Sequence, residues 1–187
     1  MRYETLLQRD RAVLIVIDIQ EKLVGVYEPA VRERVLGGAR RLIAGAQALG
    51  LPLIVTEQNP AAIGATHPVL RSALGAGALP VVKTSFSNCG EPKFLSALEA
   101  TGRRQALLCG IESHVCVLQT ALDLAAAGYQ VHLCADAAGS RKEVDHAAAL
   151  ARLRQAGVVI TTVETALFEL LERCTDPCFR AVLKIVK

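Results

Sequence analysis

Tryptophan is absent from this chain, and aromatic residues of all kinds make up only 4% of it. A core without large rings has to be aliphatic, and Ala, Leu, Val and Ile supply it. A dominant charge of one sign is missing too. The formal net charge is +3, and basic residues come in pairs such as Arg40–Arg41, Arg103–Arg104 and Arg141–Lys142 rather than in long runs. Such pairs read as solvated helix faces and loop ends, so neither nucleic acid nor an anionic membrane is expected as a partner. No apolar stretch reaches the roughly 20 residues that a membrane-spanning helix needs. The stretch from Met1 to Arg11 is polar and charged and is not expected to act as a secretory leader. Six cysteines are present, but Cys109, Cys116 and Cys134 sit inside apolar runs. Free thiols in a reducing compartment, the cytoplasm, are the expectation.

What is present is an apolar surplus. Hydrophobic residues make up 52% of the 187, and charged residues 21%. That length fits one domain with a sizeable core. The surplus fits a parallel sheet buried on both faces or a subunit interface. No domain boundary, internal repeat or low-complexity tract interrupts the chain.

Short apolar runs alternate with longer helical patterns. Strands are expected at 12–17, 51–56, 79–83, 104–110, 130–135 and 158–163. Helices are expected at 31–49, 92–100, 113–127, 144–156, 165–173 and 177–186, with loops and one short helix in 57–77. Strands separated by helices imply βαβ units, and right-handed crossovers imply a three-layer α/β/α sandwich with a parallel sheet. Ligands bind such sheets outside the carboxyl ends of the strands, so those ends carry the functional reading.

The first strand ends in Asp18, a carboxylate set directly after apolar residues. The third ends in Lys83. The fourth ends at Cys109-Gly110, and Ile111-Glu112-Ser113-His114-Val115-Cys116 then opens a helix. A thiol in a first helical turn, near a lysine, is expected to have its pKa drawn down from about 8.5 toward neutrality. Each residue also has a structural reading: a cap or turn for Asp18, a snorkelling surface lysine for Lys83, a buried core thiol for Cys116. Gln20, Glu57, Phe86 and His114 lie near strand ends, where they contact substrate or serve loop hydrogen bonds and core packing. His132 reads as a strand-interior core residue, His146 as a helix-face residue and Asp136 as a turn cap. Cys174 and Cys178 lack metal-ligating neighbours. No glycine pattern for a dinucleotide, no phosphate-binding loop and no nucleophile-elbow serine appears.

Three segments, Val13 to Gln20, Val82-Lys83-Thr84-Ser85-Phe86-Ser87 and Cys109 to Cys116, resemble the isochorismatase-like cysteine hydrolase superfamily. Three more resemble its isochorismatase-domain-containing branch: Val55 to Pro60, Leu122-Asp123, and Ser140-Arg141 with Ala151 to Gly157. The resemblance runs from about Arg11 to Leu170. It implies a six-stranded parallel sheet of order 3-2-1-4-5-6 and a triad of Asp18, Lys83 and Cys116. It also implies a cis peptide between Ile111 and Glu112, with the N–H groups of Glu112 and Cys116 forming an oxyanion hole. Nicotinamidases of the superfamily carry an Asp-x-His metal motif where this chain has Glu57-Gln58-Asn59, so neither a metal nor a cofactor is expected. Isochorismate-cleaving members typically lack the cysteine, which this chain keeps. The implied activity is metal-independent hydrolysis of a small amide through a thioester, in a homo-oligomer. A non-catalytic interaction protein and a redox-sensing thiol protein, with Cys89 as resolving cysteine, are the alternatives.

Overall fold

A computed structural model describes Tyr3 and residues 5–75 and 77–187. Six strands form one parallel sheet in the order β3-β2-β1-β4-β5-β6. They are β1 (Ala12–Ile17), β2 (Leu53–Gln58), β3 (Val81–Lys83), β4 (Gln105–Ile111), β5 (Gln130–Gly139) and β6 (Val159–Thr161). Every residue of β1 and β4 is buried, as expected for central strands covered on both faces.

Side chains alternate between the faces. Leu14 and Val16 point into one core, closed by α2 (Pro29–Ala48), α4 (Pro68–Leu74), α8 (Val163–Leu171) and α9 (Phe179–Val186). Val13, Ile15 and Ile17 point into the other, closed by α5 (Pro92–Ala100), α6 (Leu118–Ala126) and α7 (Glu143–Gln155). Both cores are aliphatic apart from a few rings such as Tyr27 and Phe94. Among the described residues, no helix is long and apolar enough to cross a membrane.

Several expected bounds shift for physical reasons. β2 runs on to Gln58 because Glu57 and Gln58, poor strand formers in isolation, pair with Val82 and Lys83 of β3. β5 runs on to Gly139 because Ala138 and Gly139 pair with Gly110 and Ile111 beyond an irregularity. Asp136 therefore lies within the strand, and its Oδ1 accepts from the Val163 N–H at 2.9 Å, capping α8. The 57–77 stretch holds two short helices, α3 (Pro60–Ile63) and α4, each opened by a proline. The unexpected α1 (Glu21–Gly25) follows Gln20 directly.

Candidate active site at the strand ends

The sheet order reverses between β1 and β4, so the crevice outside these strands is the switch point where such folds bind ligands. Asp18 leaves β1 in a left-handed conformation (φ 53°), and its carbonyl accepts from the Gln20 N–H at 2.7 Å. On the other side, Gly110 has φ 143°, and a Cβ there would stand 2.2 Å from the Ile17 carbonyl oxygen. Only glycine lets β4 come this close to the end of β1.

β3 lies two strands from β1, roughly 10 Å away at the usual spacing. Register closes that gap. Ile17 is level with Thr56 and Thr56 with Val81, which sets Lys83 one residue beyond the level of Asp18. The lysine leans back over β2, and its Nζ meets Asp18 Oδ2 at 2.7 Å with neither side chain exposed. Nζ also donates to Gln58 Oε1 at 2.7 Å and to the carbonyls of Ser85 and Phe86 at 3.0 Å. Thr56 Oγ1 donates to Asp18 Oδ1 at 2.7 Å. A buried ion pair is tolerable only when hydrogen bonds support it, and here they serve Lys83 Nζ and Asp18 Oδ1, while Oδ2 is left with the ion pair.

Cys116 does not sit in an ordinary first α-helical turn. Residues Ser113–Val117 form a wider π-type turn before α6. The Val117 N–H reaches back five residues to the Glu112 carbonyl at 3.2 Å, and the Val115 N–H donates to the same oxygen at 3.0 Å. The N–H of Cys116, between them, is not among that carbonyl's donors. The Ile111–Glu112 peptide that feeds the turn is cis. The thiol is buried and lies within the electrostatic reach of both Asp18 and Lys83.

The expected depression of the thiol pKa is overturned. Burial first, and the Asp18 carboxylate second, push Cys116 up to about 12, with Lys83 pulling against them. The lysine is already engaged with Asp18, so its field at sulfur is largely cancelled. The resting thiol is protonated and lies beside a carboxylate.

A second group of residues forms the β4–β5 rim. Glu112 Oε1 accepts from Arg141 Nε at 2.8 Å and from the Arg141 N–H at 3.2 Å. The Tyr27 hydroxyl donates to the Gly139 carbonyl at 3.1 Å. Burial, and then Glu112, hold its proton far more tightly than in a free tyrosine. His114 Nδ1 lies 2.9 Å from Ser140 Oγ, and His146 Nδ1 lies 3.0 Å from Ser113 Oγ. His146 is thus buried against the turn rather than on a free helix face.

The structure thus brings Asp18, Lys83 and Cys116 together, with Glu112 at the turn. Gln20 is fully occupied: its amide donates to the Gln58 and Gly64 carbonyls and accepts from the Gln58 N–H. Glu57 is turned away. Thr56 and Gln58 face Asp18 and Lys83, so the residue between them faces the opposite side of the sheet, where Glu57 Oε1 accepts from the Thr66 N–H and hydroxyl. Phe86 contributes its carbonyl, while its ring is exposed. His114 is tied to Ser140 at the rim.

Thr56, Gln58, Tyr27 and Arg141 carry site contacts that a reading of strand ends alone passes over. Polar residues alternating at the end of an otherwise apolar strand are the signal for Thr56 and Gln58. Tyr27 carries no local signal. Among the described residues, no group of three or more His, Cys, Asp or Glu side chains is placed to hold a metal ion.

Fold and site together define an α/β/α sandwich carrying a buried carboxylate, ammonium and thiol at its switch point. The isochorismatase domain family matches residues 12–165, and the chain belongs to that family. It is 40% identical over 179 residues to isochorismatase domain-containing protein 2 of Xenopus laevis, covering 94% of this chain and 83% of that one. Among solved structures it resembles the MAR1 ribonuclease of Caenorhabditis elegans, with TM-score 0.90 and 36% identity over 96% of this chain and 91% of that one. The YcaC gene product of Escherichia coli, described as an octameric hydrolase of unknown specificity, shares the fold at TM-score 0.89 and 22% identity, over 99% and 92% of the two chains. Family membership supports a hydrolase in general terms.

Proposed function

We propose that the protein is a metal-independent cysteine hydrolase of small, uncharged amides. The observation that carries this reading is the buried Cys116 thiol set beside the Asp18 carboxylate, whose charge Lys83 balances at 2.7 Å. Asp18 takes the thiol proton as sulfur attacks the carbonyl carbon. The N–H groups of Glu112 and Cys116 receive the resulting oxyanion, an effect worth about 3 kcal/mol per donor. The C–N bond breaks, the amine leaves with the proton from Asp18, and a thioester remains. Water then attacks the thioester, giving its proton to Asp18, and the acid leaves as the thiol reforms.

Charge accounting favours a neutral substrate. Lys83 is neutralised by Asp18 and Arg141 by Glu112, so neither cation is free for a substrate carboxylate. The same accounting weighs against RNA as substrate, although a ribonuclease is among the similar structures. Burial also raises the Cys89 thiol, to about 11. Two protonated thiols disfavour a redox sensor, which needs a thiolate. The apolar surplus favours a homo-oligomer, and the free thiols favour a reducing compartment, the cytoplasm.

Intact-mass analysis after incubation with chloroacetamide tests the nucleophile. The expected result is one adduct more in the wild type than in Cys116→Ala, in which the exposed Cys174 is still labelled. The labelling rate climbs through pH 9 without levelling near the ordinary thiol pKa of about 8.5. Equal labelling of Cys116→Ala would reject the assignment. Cleavage of a labelled oligoribonucleotide that disappears in Cys116→Ala would favour the ribonuclease reading instead.

A further inference from the structure

At the end of β2, successive side chains serve opposite faces of the sheet. Thr56 and Gln58 hold Asp18 and Lys83. Glu57, between them, opens onto a separate cavity of about 560 Å³ between β2 and α4. That volume falls within the roughly 300–1,000 Å³ range of small-molecule sites. Cys116, Asp18 and Lys83 do not line it.

The cavity is chemically two-ended. Glu57 is only 7% exposed, and its Oε1 is committed to the Thr66 N–H and hydroxyl at 2.6 and 2.7 Å. A carboxylate so placed is costly unless the charge meets a cation or further donors. Among the described residues, no side-chain cation is paired with it. Arg71 and Ser72, from α4, line the same space, and Leu74 and Pro80 give it apolar wall. No ion pair joins Arg71 to Glu57 among the described residues, so the cavity holds a buried acceptor and a free guanidinium.

We propose that this cavity is a binding site for a small zwitterion. Its ammonium or amidinium head pairs with Glu57, and its carboxylate pairs with Arg71. A short aliphatic linker lies along Leu74 and Pro80. The site is separate from Cys116 and goes beyond the hydrolase reading, but it shares β2 with the residues that mount Asp18 and Lys83.

Saturation-transfer NMR with 4-aminobutanoate, butanoate and butylammonium tests it, since the method reads weak ligands on assemblies of any size. The zwitterion is expected to bind saturably and at least about tenfold more tightly than either singly charged analogue, the usual effect of losing a charged hydrogen bond. Glu57→Gln keeps an acceptor for Thr66 and is expected to weaken binding about tenfold or more. Arg71→Ala, at an exposed position of α4, is expected to do the same. Cys116→Ala is expected to leave binding unchanged. The proposal is overturned by absence of a saturable signal for ω-amino acids from glycine to 6-aminohexanoate. It is equally overturned by binding that survives both cavity variants or that is lost in Cys116→Ala. Loss of amide turnover without loss of zwitterion binding would instead concern the hydrolase reading alone.

Discussion

Asp18 and Lys83 meet at 2.7 Å with neither side chain exposed, whereas Glu112 and Arg141 meet at 2.8 Å with the arginine side chain 60% exposed. The distances are nearly equal, but the surroundings are not. The first pair is anchored by strand ends and by Thr56, Gln58 and two backbone carbonyls. The second joins the turn after β4 to the loop after β5 and lies against solvent. A buried pair fixes the position of the charges on which the reaction depends. An exposed one is screened and contributes little to folding, so it is free to shape the rim.

The sharpest way to break this contrast is to remove one member of each pair. Lys83→Ala leaves a carboxylate buried and alone, and should cost about 3–5 kcal/mol of stability in urea unfolding. Arg141→Ala, measured the same way, should cost no more than about 1 kcal/mol. Comparable losses in the two variants would dissolve the distinction. Between these extremes lies the frame that brings the pairs together. Gly110→Ala pushes a methyl group into the Ile17 carbonyl at a φ that non-glycine residues rarely adopt. It should destabilise by about 2–4 kcal/mol and lower turnover, because β1 and β4 can no longer close on each other.

His132 extends the comparison to a buried polar group with no hydrogen-bond partner among the described residues. Both ring nitrogens are enclosed in β5 without a hydrogen bond, and burial lowers the pKa to about 4. As pH falls from about 6.5 toward 4, the unfolded chain binds a proton that the folded chain refuses. Stability should therefore decline across that window by at most about 3 kcal/mol. His132→Leu should flatten the decline, as read from unfolding midpoints at several pH values. A slope unchanged in the variant would assign the pH dependence to other groups.

Much of the fold is legible in the sequence because its determinants are local. The run from Ala12 to Ile17 reads as a strand and is one, and the helix from Pro92 to Ala100 matches its expected bounds. The strand order follows from crossover handedness and the family resemblance rather than from any single residue. The site is legible where it depends on strand termini: Asp18, Lys83 and Cys116 are all visible as chemical residues after apolar runs. What was not legible depends on contacts distant in sequence. Glu57 looks like a site residue until pairing with β3 extends β2 and fixes which face each side chain takes. The charge state of Cys116 is not legible because burial, the largest cause that raises its pKa, depends on the whole fold, and because Lys83 belongs to Asp18 rather than to the thiol. The π-type turn at Ser113–Val117 is set by i−5 hydrogen bonds, from the Val117 N–H to the Glu112 carbonyl and from the Leu118 N–H to the Ser113 carbonyl, that no composition announces.

The most direct test of the Cys116 mechanism is ammonia release across a panel of small amides, ureides and hydroxamates, with acid-quenched intact mass taken during turnover. The account predicts release by the wild type, an acyl adduct that maps to Cys116, and loss of both in Cys116→Ala. Release that persists in Cys116→Ala, at a rate near that of the wild type, would contradict it.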